Sequence, residues 1–325
     1  MYQIKAYARD FVVEEIPDVQ VKDQGAYTCF WLEKRNLNTL DAIHRIAHWL
    51  HLDSGFFGFA GTKDKKAMTK QVCSVKGDFV KALNHFEQPD LKVTVLGYCD
   101  EPVSLGQLKG NRFKVTVRNL EHRPHPMMVF VNYFGEQRFG KDNVTIGKHI
   151  VLGDIDHAVL LFLKTISPYQ EDVMKFLEEH PREYVGAMHR IPMKLLRLFI
   201  HSYQSKMWNE IVQQLVDSKD VISNIRVPLI GFGLAPSTKY RKYIQPILDR
   251  EQIKPRDFVI KSFPQLSSEG GLRRVFAEVK ELKIGECESD ELNKGKVKVV
   301  LSFVLSPGCY ATVFLHQLFG KFGKY

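Results

Sequence analysis

Hydrophobic side chains recur at two different periods along this chain, and the switches between them mark out its regions. Apolar and polar positions alternate through Asp10–Ile16 and Tyr27–Lys34, the period of half-buried strands, with a Gly-containing loop at Asp23–Gly25 between them. The period then changes. Ile43, Ile46, Ala47 and Leu50 fall on one face of a helix running to about Leu52, for which Thr39 is the expected cap. His44 and His48 lie on its other face and read as an exposed polar stripe, because no third metal ligand accompanies them. An apolar run at 56–60 and an alternating run at 70–76 follow, joined by the loop Gly61–Ala67. Strand-like patterns continue through 93–98 and, after a Gly-rich turn, through Leu105–Arg118.

Beyond about Lys141 the pattern is mostly helical, with helices expected over Ile150–Lys164, Gln170–Glu179 and Leu195–Val216. A loop with Pro228, Gly231, Gly233 and Pro236 leads to the basic segment Lys239–Tyr243, which suits either a phosphate contact or a solvated turn. Alternation returns at 273–284 and Val297–Leu305, and Pro307–Gly308 forces a turn before the last apolar segment. A strand-rich start and end enclosing a helical middle argue for two domains.

Composition sharpens this picture. The 325 residues carry a formal net charge of +9 and a pI near 9.1, which points to an anionic partner. The N-terminus lacks the order of a signal peptide, and Pro307–Gly308 interrupts the longest uncharged stretch. The expectation is a soluble, cytoplasmic protein with no membrane partner. Five scattered cysteines without a CxxC pair suit reduced thiols, with neither a disulfide frame nor a zinc site.

Candidate chemistry gathers in the loops. Asp64 stands among Lys63, Lys65 and Lys66, where positive potential keeps a carboxylate ionised and attracts polyanions. A charged loop tip of this kind is more often only solvated. Two further stretches change the balance. Asn111 offers an amide that can read a base edge and Phe113 a face that can stack on a base, although a turn and a core Phe fit the same residues. The loop Asn132–Gly140, NYFGEQRFG, mixes aromatics, amides and an Arg, and suits an unstacked nucleotide. Other motif spellings are weak: Gly61-Thr-Lys lacks the GK[ST] of a phosphate-binding loop, and Gly55–Gly58 and Gly320–Gly323 match Gly-x-x-Gly by chance.

The ordered set of these stretches resembles the TruD family of tRNA pseudouridine synthases from end to end. Lys5 with Asp10-Phe11-Val12-Val13-Glu14 resembles its N-terminal element, FAGTKDKKAMTKQ its catalytic motif, LGQLKGNRF its GNxF element, NYFGEQRFG the next, and SPGCYAT its C-terminal one. The resemblance implies an α+β fold: a pseudouridine synthase core with a bent, mainly antiparallel mixed sheet flanked by helices, plus an inserted mixed α/β TRUD domain. The core would comprise residues 1–140 and 273–325, the insertion 141–272. It further implies Asp64 as nucleophile or base, Lys5 beside it, and Phe11, Asn111, Phe113 and Tyr310 as substrate contacts. The family commonly has Phe where Tyr310 stands. The substrate implied is tRNA, at uridine 13 of the D-arm. Isomerising uridine involves no net redox change, so neither a small-molecule cofactor nor a metal is expected, and the enzyme is expected to act as a monomer. The alternative reading is a non-catalytic RNA-binding protein using the same basic and aromatic surface.

Overall fold

The computed structural model describes residues 1–219, 225–235 and 238–320. Pro236 of the central loop and Gly323 of the second Gly-x-x-Gly spelling lie outside them. The chain divides into two compact units, one built mainly from Met1–Phe130 and Ala277–Ala311, the other mainly from Val131–Phe276.

The first unit is organised on one mixed sheet. Its strands up to Leu120 are β1 (Phe11–Pro17), β2 (Tyr27–Arg35), β3 (Phe57–Phe59), β4 (Met68–Lys76), β5 (Leu91–Cys99) and β6 (Leu108–Leu120). Two short strands, β7 (Val129–Val131) and β10 (Phe276–Glu278), lie where the chain passes between units; β8 (Arg226–Leu229) and β9 (Gly271–Arg274) pair within the second. The closing strands are β11 (Lys280–Ile284), β12 (Glu288–Ser289) and β13 (Val297–Leu305). The sheet order is β11-β13-β6-β1-β4-β2-β5, with β12 beside β13 and β3 beside β4. Only β1 and β4 run parallel among its described pairs; the others are antiparallel. The expected mixed, mainly antiparallel α+β fold is therefore present. The first two strands of the sequence do not pair with each other: β4 lies between them.

Helix α1 (Thr39–Trp49) covers one face, with Ile43, Ile46 and Ala47 packed among Phe30, Leu32, Cys73 and Val75. His44 and His48 are exposed, as their spacing indicates. Asn38, one residue earlier than expected, caps α1 by accepting from Asp41 N at 2.8 Å. A short helix, α2 (Val80–Asn84), precedes β5. Cys29 and Cys99, on neighbouring strands β2 and β5, form a disulfide with Cα atoms 6.3 Å apart, correcting the expectation of five free thiols. Seventy residues separate them, so only the strand register brings them together. Buried Arg118 joins β1's approach to β12's, donating to Asp10 at 2.8 and 3.0 Å and to Asp290 at 3.1 Å.

In the second unit α3 (Asn143–Val151), α4 (Ile155–Phe162), α5 (Gln170–Glu179) and α6 (Tyr184–Met188) precede the long α7 (Met193–Asp217) and α8 (Arg241–Glu251). The single helix expected over 150–164 is broken: Gly153 takes φ +75°, and Asp154 accepts from His157 N to start α4. The last helix, α9, is Ala311–Leu318. No described helix is long and apolar enough to cross a membrane.

Helices α3 and α7 pack closely because Gly147 has no side chain: a Cβ there would lie 2.1 Å from the Phe199 carbonyl oxygen. Gly147→Ala gains about 1 kcal/mol of helix propensity but overpacks a backbone contact at a cost of about 1–3 kcal/mol. The overpacking is expected to win and lower the melting temperature; an unchanged or higher value would show that the two helices separate freely.

Candidate active site

The register of the sheet sets side chains in rows on the face that α1 covers. One row runs Leu305, Asn111, Glu15; the next runs Phe303, Phe113, Val13, Thr69, Lys34, each opposite its neighbour on the adjoining strand. Gln71, two residues beyond Thr69, shares that face, so polar groups occupy its end next to the apolar core of Phe30 and Cys73.

The Gly61–Ala67 loop is fastened to this polar end. Gln71 Nε2 donates to Gly61 O at 2.9 Å, and the Thr39 hydroxyl donates to Gln71 Oε1 at 3.0 Å while accepting from Lys63 N at 2.9 Å. Thr39 thus serves the loop, while Asn38 caps the helix. The Lys63 ammonium pairs with the fully buried Glu15 carboxylate at 2.5 Å, and Glu15 also accepts from Val72 N at 3.1 Å. Behind the loop, Lys34 Nζ donates to Leu37 O at 2.6 Å and to Asp64 O at 2.9 Å. Beside these charges Cys73 stays a thiol, since burial pushes its pKa up.

Of the three loop lysines, then, Lys63 answers Glu15. The cation facing Asp64 comes from elsewhere: Lys5 Nζ lies 3.3 Å from Asp64 Oδ2, each side chain under one-fifth exposed. Lys5 takes a left-handed φ of +58°, a conformation costing a non-glycine residue on the order of 1–2 kcal/mol. Its ammonium sits 4.2 Å from the centre of the Phe11 ring. Phe11 in turn meets Phe113 edge-on at 6.1 Å, and Phe113 stacks on Phe303 at 5.2 Å. Lys5, Asp64, Phe11 and Phe113 are therefore linked by direct contacts, with both phenylalanines buried. Asn111 lies in the row beside Phe113, its Oδ1 buried and without a hydrogen-bond partner among the described residues. Tyr310 is half-buried at the N-cap position of α9, five residues beyond Leu305, the partner of Asn111.

Sequence reasoning missed Glu15, Thr39, Lys34 and Gln71 as a loop mounting. A signal was available for Lys34, which keeps the alternation of Phe30 and Leu32, and for Glu15, which keeps that of Phe11 and Val13, so that both fall on the buried face. The loop Asn132–Gly140, expected as nucleotide surface, belongs to the second unit and is packed there. Asn209 of α7 bonds both backbone groups of Phe134 at 2.9 Å, Trp208 meets its ring edge-on, and Arg273 lies over it at 4.0 Å. In the basic segment Lys239–Tyr243, Tyr240 and Tyr243 are buried beneath Lys239 and Lys242. His149, Asp154 and His157 lie close together in this unit, but Asp154 already accepts from both imidazoles, at 2.9 and 2.8 Å.

A carboxylate held beside an ammonium, on a rigid loop over a floor of aromatic rings, suits proton or nucleophilic chemistry on a flat heterocycle. Comparisons with known proteins bear on the chain as a whole. The sequence profile of the family "tRNA pseudouridine synthase D (TruD)" matches residues 2–175, 166–225 and 219–318. A relative from Methanopyrus kandleri, named a probable tRNA pseudouridine synthase D, is 30% identical over 94% of this chain and 88% of its own. The tRNA pseudouridine synthase D of Aquifex aeolicus is 28% identical, with 98% of each chain covered. A TruD crystal structure from Methanosarcina mazei superposes with a TM-score of 0.73 at 27% identity, covering 97% of this chain and 93% of that one. These likenesses define the class, a pseudouridine synthase, which is an isomerase modifying tRNA. Within that class the chain belongs to the tRNA pseudouridine synthase D family.

Glu15, paired with Lys63, is the most deeply buried charge in the mounting. Glu15→Ala leaves an unpaired ammonium there and is expected to cost about 3–5 kcal/mol, seen as a lower urea midpoint. Adding Lys63→Met removes the stranded charge and is expected to recover much of the loss. A double variant as unstable as the single one would locate the damage elsewhere.

Proposed function

We propose that the protein isomerises uridine 13 in the D-arm of tRNA to pseudouridine, with Asp64 as the reactive carboxylate. The observation that carries this reading is the Lys5–Asp64 contact above Phe11. The reaction breaks the bond from N1 to C1′, turns the base over and joins C1′ to C5; the proton leaving C5 balances the one gained at N1. In either route, attack on the sugar or removal of a sugar proton, Asp64 acts ionised, and the adjacent ammonium of Lys5 favours that form.

The base must leave its stack to reach such a site. In this reading Phe113, backed by Phe303 and edged by Phe11, forms the apolar floor for the uracil. The unpartnered Asn111 Oδ1 accepts from the ring N3–H, and Tyr310 borders the pocket. In this reading residues 1–140 and 273–325 form the catalytic domain and 141–272 the TRUD insertion. The net charge of +9 provides the attraction for tRNA phosphates, so binding weakens as salt rises. The reading has the enzyme act as a cytoplasmic monomer without a cofactor.

Incubating unmodified tRNA with the protein and mapping pseudouridine is expected to reveal one new site, at position 13; tRNA binding without any isomerisation would falsify the assignment. Asp64→Asn keeps the shape and removes the charge. It is expected to lower turnover by at least about 10³-fold with tRNA affinity nearly unchanged. Phe113→Ala is expected to slow turnover in single-turnover assays, and a wild-type rate would leave Phe113 as core alone.

A further inference from the structure

Lys34 is a lysine buried to 3% exposure whose hydrogen-bond partners among the described residues are backbone carbonyls. The alternation of β2 forces it inward in line with Leu32 and Phe30, at the level where the core gives way to the Gly61–Ala67 loop. Its Nζ donates to Leu37 O at 2.6 Å and Asp64 O at 2.9 Å, with Lys63 O at 3.4 Å. An ammonium has three donors for these three acceptors; a neutral amine has two and turns a lone pair towards the third. Deprotonation thus removes one of the three bonds and the charge assistance of the other two, so the hold on Asp64 weakens with the charge.

We propose that Lys34 is a positioning residue for the isomerisation, its ammonium fixing the Asp64 backbone at the place from which the carboxylate reaches Lys5 and the substrate. The proposal rests on Asp64 being the reactive group. Among the described residues its hydrogen bonds go to Leu37 and to the loop backbone and not to Lys5 or the aromatic floor, so it acts through the loop. Displacing a reacting group by about 1 Å can cost on the order of 10²-fold in rate, which sets the size of effect at stake.

Protonation makes the role testable. Burial lowers the Lys34 pKa to about 8; the Asp64 carboxylate opposes this and the Lys63 ammonium adds to it. Both of these charged groups are themselves paired, Asp64 with Lys5 and Lys63 with Glu15. Since the folded value lies below the ordinary 10.5, Lys34 is charged below about pH 8 and neutral above it. Turnover is then greatest on the acid side and falls as pH rises through that value.

Single-turnover rates at saturating tRNA, from about pH 6 to about pH 9.5, test this on wild-type, Lys34→Met and Lys34→Arg proteins, with tRNA affinity and circular dichroism measured alongside. The wild-type rate is expected to fall about tenfold per pH unit above a one-proton limb near 8. Lys34→Met is expected to be about 10–100-fold slower below that limb and to lack it, with tRNA affinity unchanged. Lys34→Arg, which stays charged, is expected to regain part of the rate and carry no limb in this range. A wild-type profile with no limb between about pH 7 and 9, a limb that persists in Lys34→Met, or full activity in Lys34→Met overturns the proposal. The wild-type profile decides on its own if the variants do not fold. Activity in Asp64→Asn would instead remove the reading on which the proposal rests, whereas an inactive Asp64→Asn beside a fully active Lys34→Met removes Lys34 alone.

Discussion

Everything at the candidate site depends on how a seven-residue loop with three lysines is tied to one end of a sheet face. A loop of this composition left to solvent would wander, because ordering each backbone residue costs about 1–2 kcal/mol. Here the ties are buried and polar: Gln71 to Gly61, Thr39 to Lys63, Glu15 to the Lys63 ammonium, Lys34 to Asp64. Buried groups of this kind are costly when unpaired, so each tie holds firmly once the others exclude water. The strands that supply them, β1, β2 and β4, are neighbours in the sheet, and the loop runs directly into β4.

The division of charge among the lysines follows from that mounting. Lys63 is turned down to the buried Glu15, which leaves the Asp64 carboxylate to be met from the other side by Lys5. Lys5 arrives on a left-handed backbone and rests its ammonium on Phe11. A strained residue whose side chain bridges a carboxylate and an aromatic face is retained where the surrounding structure over-determines it. The same three-ring cluster that supports Lys5 continues through Phe113 to Phe303, joining β1, β6 and β13 across the middle of the sheet.

The second unit shows how the same residue types serve a different purpose. In Asn132–Gly140 the aromatics and amides bind α7 and Arg273, and the aromatic-plus-Arg pattern that suits a nucleotide proves equally suited to a buried cation–π cluster. Likewise the tyrosines of Lys239–Tyr243 face inward. Composition does not separate these roles; only the presence of a packed partner does.

By itself the sequence determined the periods of the main strands and helices, the basic balance of the chain, and the five ordered stretches that mark its family. Local periodicity and motif order are properties of neighbouring residues, and they survive without a fold. Tertiary structure decided the rest. The placement of β4 between β1 and β2, parallel to the first and antiparallel to the second, the Cys29–Cys99 bond and the break at Gly153 each depend on contacts or backbone turns that no periodicity announces. Above all, that Lys63 pairs with Glu15 while Lys5 pairs with Asp64 is decided by the tertiary fold: residues 48 and 59 positions apart, respectively, become neighbours only once the sheet and the loop mounted on it have formed.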